Sequence, residues 1–220
     1  MADEPVVWIE AESSDMARAI MAAQSTFPEF ARHAELEHFR IVPAFGLVAI
    51  KAFFPDPARL TRGEHMFVTD IFTNGRSVTG TLASDPSDLP GLAAGQEVTF
   101  PIANVSDWFL VLGRRGIGGF TTDVLKKHVT AAERAGFESQ EPLVWYQHRG
   151  EDGASAELAA APVCTACGMP DLVARAHRTG ACELCAGGGV RCDCSGCGAP
   201  LFRYPDAPRE CHHCLVTSRK

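Results

Sequence analysis

The feature that most restricts what this chain can fold into is the placement of its nine cysteines, all of which lie between Cys164 and Cys214. Eight of them form four Cys-x-x-Cys pairs in two units. The first unit, CTACGMPDLVARAHRTGACELC, holds Cys164, Cys167, Cys182 and Cys185, with 14 residues between its pairs. The second, CSGCGAPLFRYPDAPRECHHC, holds Cys194, Cys197, Cys211 and Cys214, with 13 between. A Cys-x-x-Cys turn presents two sulfurs to one side of an ion. A second such turn, returned by a short hairpin, completes the tetrahedron that a structural zinc ion requires. In both units a glycine, Gly168 or Gly198, follows the first pair. A positive φ there turns backbone N–H groups toward the thiolates.

The spacing therefore predicts a tandem zinc ribbon with two structural Zn2+ ions. The near-equal units and the six-residue gap between Cys185 and Cys192 favour sequential pairing. An interleaved cross-brace, in which the first and third pairs share an ion, is the alternative. A site of four cysteine thiolates is closed, with no open position for water, so the metal is expected to hold structure rather than perform chemistry. The segment is short of large apolar residues, and metal is expected to supply much of its folding free energy, on the order of 10 kcal/mol per site. Cys192 reads as a spare thiol beside the metal or as an alternative ligand. His177, His212 and His213 read as solvated, with replacement of a cysteine by one of the two in the last turn as the alternative.

A disulfide scaffold would imply secretion. The first ten residues, MADEPVVWIE, are acidic without a basic n-region, and no apolar run approaches the roughly 18 residues of a membrane span. The expectation is a cytoplasmic protein with no membrane association. Redox use of the cysteine pairs is disfavoured by the lack of a surrounding βαβ pattern.

Residues 150–161, GEDGASAELAAA, have the composition of a linker. They divide the chain into a main domain (1–149) and a tail (162–220) whose ribbons span 162–187 and 192–216. The net charge of −7 is uneven: the tail has seven Lys and Arg against five Asp and Glu, the remainder 13 against 22. An acidic main domain repels phosphate backbones. Four thiolates around a zinc ion carry net charge of about −2 per site, which would make the tail negative as well.

In the main domain VVWIE (6–10) is a short strand candidate. SSDMARAIMAAQSTF (13–27) predicts a helix capped by Ser13 or Ser14, with Met16, Ala19, Ile20 and Ala23 on its apolar face, ended by Pro28; PEFARHAEL can start another. FRIVPAFGLVAIKAFFP predicts one or two strands, with a bend or bulge at Pro43 and Gly46. GEHMFVTDIFTNGRSVTGTLASDP alternates on both sides of Asn74-Gly75 and is the clearest hairpin in the chain. Residues 85–96 form a loop, EVTFPIANVSDWFLVL one or two strands, and GRRGIGG a turn. TTDVLKKHVTAAERAG (121–136) predicts a helix capped by Thr121 or Thr122, with Val124, Leu125, Val129 and Ala132 inward. PLVWYQH (142–148) is a last strand or packing arm. Strands joined by tight turns imply an α+β domain built on a small antiparallel, partly barrel-like sheet flanked by helices.

Three elements, Gly63-Glu64-His65, Ser106-Asp107-Trp108 and Gly118-Gly119-x-Thr121, lie within a string that resembles the bacterial family known as domain of unknown function 2314 over roughly residues 12–130. The resemblance implies a small α+β domain in a cytosolic bacterial protein, and implies no activity. The Cys-rich tail departs from the short form usual in that family.

Glu64, His65, Asp70, Asp107 and Thr121 or Thr122 contain the residue types that hydrolysis uses, and Glu64, His65 and Asp107 are the weak catalytic candidates. The competing reading has Glu64 and His65 satisfying loop backbone, Asp107 as a turn or cap residue and Trp108 in the core. No G-x-S-x-G, His-Glu-x-x-His or phosphate-loop pattern occurs. Arg114 and Arg115 read as solvated turn residues, with anion binding as the alternative. The expected function is a non-enzymatic, zinc-binding interaction or regulatory protein whose ribbons grip a partner protein. Nucleic acid is the alternative partner, on Arg191, Arg203, Arg209, Arg219 and Lys220 with Phe202 and Tyr204.

Overall fold

The computed structural model describes residues 14–38, 40–112, 115–128, 130–131, 162–166, 171, 180–186, 188–196, 198, 200–203 and 208–210. The expected strand at 6–10, the arm at 142–148, the linker, and residues 129 and 132–136 of the helix expected at 121–136 lie outside them.

The main domain is one long helix on an open six-stranded sheet. Helix α1 spans Ser14–Glu37. Strands β1 (Leu47–Asp56), β2 (Arg59–Thr73), β3 (Ser77–Leu82), β4 (Glu97–Pro101), β5 (Val105–Leu112) and β6 (Arg115–Gly118) precede α2 (Phe120–His128). The strand order is β4-β3-β2-β1-β5-β6, and every pairing is antiparallel. The α+β class holds. The sheet is open and not closed into a barrel: β4 and β6 are separate edges of five and four residues that do not pair with each other.

The Asn74-Gly75 hairpin forms as the alternation predicts. Gly75 has φ 79°, and Asn74 Oδ1 accepts from the amides of Arg76 and Ser77. From β4 at one edge the chain crosses to the far side of β1 through a 3-10 turn at Ile102–Asn104. Asn104 Nδ2 donates to Phe53 O at 3.0 Å. Gln24 Nε2 donates to the carbonyls of Ala103 and Val105, so the crossing backbone is satisfied by side chains.

Four local expectations are corrected. Pro28 does not end the first helix, which runs on to Glu37. Its ring lies on the exposed side, while Ala23, Phe27, Phe30 and Ala34 continue one buried stripe across it. Burial of that stripe outweighs the roughly 3 kcal/mol cost of an internal proline. GRRGIGG is not merely a turn, because Arg115–Gly118 pairs with β5 from Leu112 to Phe109. The α2 helix is capped not by Thr121 or Thr122, both within it, but by Asp107 from β5. β1 begins only after Gly46, so the Pro43 segment is loop rather than strand.

The core lies between α1 and the sheet. Trp108 is fully buried, 5.5 Å from Phe30 and 5.5 Å from Phe120 by ring centroid. Its Nε1 reaches Ala23 O and Thr26 Oγ1, both at 3.1 Å. In the tail the described elements are α3 (Glu183–Ala186) and a two-stranded hairpin of β7 (Val190–Asp193) with β8 (Pro200–Arg203).

Candidate functional site

Among the described residues, two groups of side chains bring polar or metal-ligating atoms together. The first joins the three motif segments of the main domain. Lys51 and His65 share the sheet face opposite Ile50, Met66 and Val68, where Phe53 contacts His65, Phe67 contacts Phe109, and the Lys51 ammonium lies 5.9 Å from the Phe67 ring centroid. The β1–β5 register shifts between Lys51 and Ala52, which leaves Ser106 as an extra residue in β5. That bulge aims the Ser106 hydroxyl at Lys51 O, 2.9 Å away, and at His65 Nδ1, also 2.9 Å away.

The hydroxyl has one proton, and it goes to the carbonyl. The His65 contact is then an Nδ1–H donating to Ser106 Oγ, which leaves Nε2 as the acceptor of the ring. Ser106 is thus held by its neighbours, not activated by a base. Although His65 is exposed overall, desolvation of the ring and, after it, the nearby Lys51 ammonium push its pKa down to about 4, so the ring is neutral near pH 7.

Asp107 is fully buried, opposite Lys51 in the β1–β5 register. Its Oδ1 accepts from the amides of Trp108 (2.8 Å) and Phe120 (3.1 Å), and its Oδ2 from the amide (2.7 Å) and hydroxyl (2.6 Å) of Thr121. Burial pushes its carboxyl up, while the Thr121 and Trp108 hydrogen bonds and Lys51 pull it down. Burial pulls the Lys51 ammonium down, opposed by Asp107. The neighbouring segment is equally constrained. Gly119 N donates to Trp108 O at 2.9 Å, and a Cβ on Gly118 would stand 2.0 Å from that oxygen.

The remaining candidates are elsewhere. Glu64 faces the other side of β2 from His65, as strand alternation requires, and accepts from the amides of Ser87 (2.9 Å) and Asp88. The structure therefore brings His65 toward Ser106, and Asp107 to Thr121, without joining Glu64 to either. Asp70 is exposed at a β2 bulge with φ 52°. Thr122 is buried in α2, Arg115 pairs opposite Leu112 in β6, and Arg114 lies outside the described residues. Lys51 and Ser106 as partners of His65 were missed. A lone lysine in the apolar run LVAIKAFF was the available signal; the bulge had none.

The second group is in the tail. The sulfurs of Cys164, Cys182 and Cys185 lie within 4.8 Å of one another. The Cys182 amide donates to Cys164 Sγ at 3.1 Å. Gly180, at φ 71°, brings the second pair back: its carbonyl accepts from Thr165 N at 3.1 Å. In the second unit Cys194 is buried and Gly198 has φ 71°. Ser195 N donates to Arg209 O at 2.9 Å, which sets the stretch before Cys211 beside the Cys194 turn. Cys192 is half-buried on β7, opposite Leu201. Cys167, Cys197, Cys211, Cys214, Gly168, His177, His212 and His213 lie outside the described residues. The donor set fits zinc: thiols at one centre, with a backbone amide directed at a sulfur.

A bacterial protein family described as "Uncharacterized protein conserved in bacteria (DUF2314)" matches residues 13–144. A protein of Neisseria meningitidis serogroup B, provisionally named an ankyrin repeat protein, is 31% identical over 135 residues, covering 61% of this chain and 53% of its own length. The Uncharacterized protein YegJ of Escherichia coli K12 is 33% identical over 78 residues, 35% of this chain and 48% of its own. The chain thus spans about half the length of these curated relatives. No solved structure matches it. No helix among the described residues is long and apolar enough to cross a membrane.

Proposed function

This chain belongs to the DUF2314 family, and from that premise we propose that it is a non-enzymatic interaction or regulatory protein of the bacterial cytoplasm, with a tail that folds around two structural zinc ions and grips a partner protein. The observation that carries the reading is the gathering of Cys164, Cys182 and Cys185 within 4.8 Å. Cys164, Cys167, Cys182 and Cys185 would hold one ion, and Cys194, Cys197, Cys211 and Cys214 the other. Bound there, zinc supplies a cross-link between turns that the small apolar content of the tail cannot replace. The non-enzymatic reading draws on the main domain, where the Asp107 carboxylate is fully occupied by cap donors and the Ser106 proton is committed to a backbone carbonyl.

Elemental analysis of the intact protein tests the metal. Two equivalents of zinc per chain, lost with a strong chelator, are expected; well under two, with thiols free or oxidised, rejects it. Capture of partners from the host by loaded and by chelator-stripped protein tests the grip. A protein retained only by the loaded form is expected. Salt-sensitive retention of DNA or RNA instead would move the assignment to nucleic acid.

A further inference from the structure

The carboxyl end of α1 is held from three directions. Leu36 is only 4% exposed, yet it belongs to a cluster separate from the main core, with Cys164 and Cys182, against which Ala181 and Cys185 pack. Glu37 Oε1 accepts from the amides of Ala44 (2.7 Å) and Phe45 (3.0 Å) in the loop that follows. His38 Nε2 lies 2.7 Å from Ile71 O, and its ring stacks on Phe72 with centroids 4.2 Å apart. Two of these tethers come from the main domain; the cover on Leu36 comes from the tail.

We propose that the first cysteine unit is a metal-dependent clasp on α1, in which the ion that gathers the thiols also keeps them packed over Leu36. The inference rests on the zinc reading above and adds what the metal does to the main domain. The ion holds the sulfurs as thiolates bonded to one centre; when it leaves they take up protons and no bond gathers them. Removing the ion spreads them, and the apolar cover of Leu36 goes with the cluster. Leu36 is then an exposed leucine in the last turn of α1, one residue before the glutamate that anchors the following loop and two before the histidine that fastens the helix to β2. The coupling is reciprocal: if the metal stabilises the cover on Leu36, the leucine stabilises metal binding by the same free energy.

The test uses the intact chain with zinc alone as ligand. Amide hydrogen exchange is followed at residues 33–38 in loaded and chelator-stripped protein. Stripping is expected to speed exchange there and leave the central strands β1, β2 and β5 protected. Zinc affinity is measured by competition with a chromophoric chelator. Leu36→Ala is expected to weaken one site on the order of 10-fold, the scale of one lost leucine contact. Met21→Ala, on the same helix but 68% exposed, should leave both sites unchanged. If Leu36→Ala does not fold, the exchange comparison on the natural sequence decides alone. Unchanged exchange on stripping, with zinc bound in the loaded form, overturns the clasp and leaves the zinc reading standing. A natural protein that binds no zinc overturns both.

Discussion

The carboxylate of Asp107 takes both the amide and the hydroxyl of Thr121 on a single oxygen, at 2.7 and 2.6 Å, and so caps α2 from a strand residue 14 positions before Thr121. A cap supplied across the fold ties the helix to the sheet, where a cap from the helix's own sequence would tie it only to itself. Removing it takes an acceptor from the amides of Trp108, Phe120 and Thr121, two of them buried. Asp107→Ala is expected to cost about 2–4 kcal/mol and Thr121→Val about 1 kcal/mol in urea unfolding. The double variant should cost less than the sum, because both remove the same bond. Full additivity would mean that the two residues act independently.

Gly118 and Gly91 make a matched pair. Both have positive φ, 86° and 88°, but a Cβ at Gly118 meets the Trp108 carbonyl and ring, whereas one at Gly91 meets nothing within 4 Å. Gly91→Ala should therefore cost about 1 kcal/mol, the conformational penalty alone. Gly118→Ala should cost on the order of 3 kcal/mol or more, since β6 or Trp108 must also move. Equal losses in thermal unfolding would show that space around Gly118 is not limiting.

The His65 pKa, pushed down to about 4, sets a direction for acid stability. Between the ordinary histidine value near pH 6.5 and about pH 4, the unfolded chain binds a proton at this position that the folded chain refuses. This residue therefore makes stability fall as pH drops through that window, and its contribution levels off below the folded pKa. His65→Asn, whose amide can take over the Nδ1 donation to Ser106, should flatten that part of the slope. Parallel stability-against-pH curves for the two proteins would contradict the assignment.

Replacing one thiol distinguishes the two pairings of the tail. With sequential sites, Cys164→Ser should lower bound zinc from two equivalents to about one and leave the second unit able to protect Cys194 from alkylation. In an interleaved arrangement the first and third pairs share an ion, and the same substitution would expose Cys194 as well.

Much of the main domain could be read locally. The 2-residue alternation on both sides of Asn74-Gly75 needs no distant partner to be recognised, and the register it sets holds from Thr73 opposite Val78. The apolar positions Ala19 and Ala23 likewise mark the inner face of α1. The continuation through Pro28 was not legible, because the local cost of proline is visible in the sequence and the burial of Phe27 and Phe30 that overrides it is not. The candidate site shows the same division. Glu64 and His65 are neighbours in the chain, yet alternation sends them to opposite faces, and the partner of His65 is a serine whose direction depends on one extra residue in β5.

By itself the sequence determined the α+β class, the central hairpin and the two evenly spaced cysteine units, since turn chemistry, periodicity and ligand spacing are properties of short segments. Only the tertiary structure decided that the sheet stays open, that a strand aspartate caps α2, and that Leu36 is covered by cysteines rather than by the main core. Each of those outcomes is a contact between residues far apart in the chain, and its energy comes from burial and hydrogen bonding that exist only once the elements have packed.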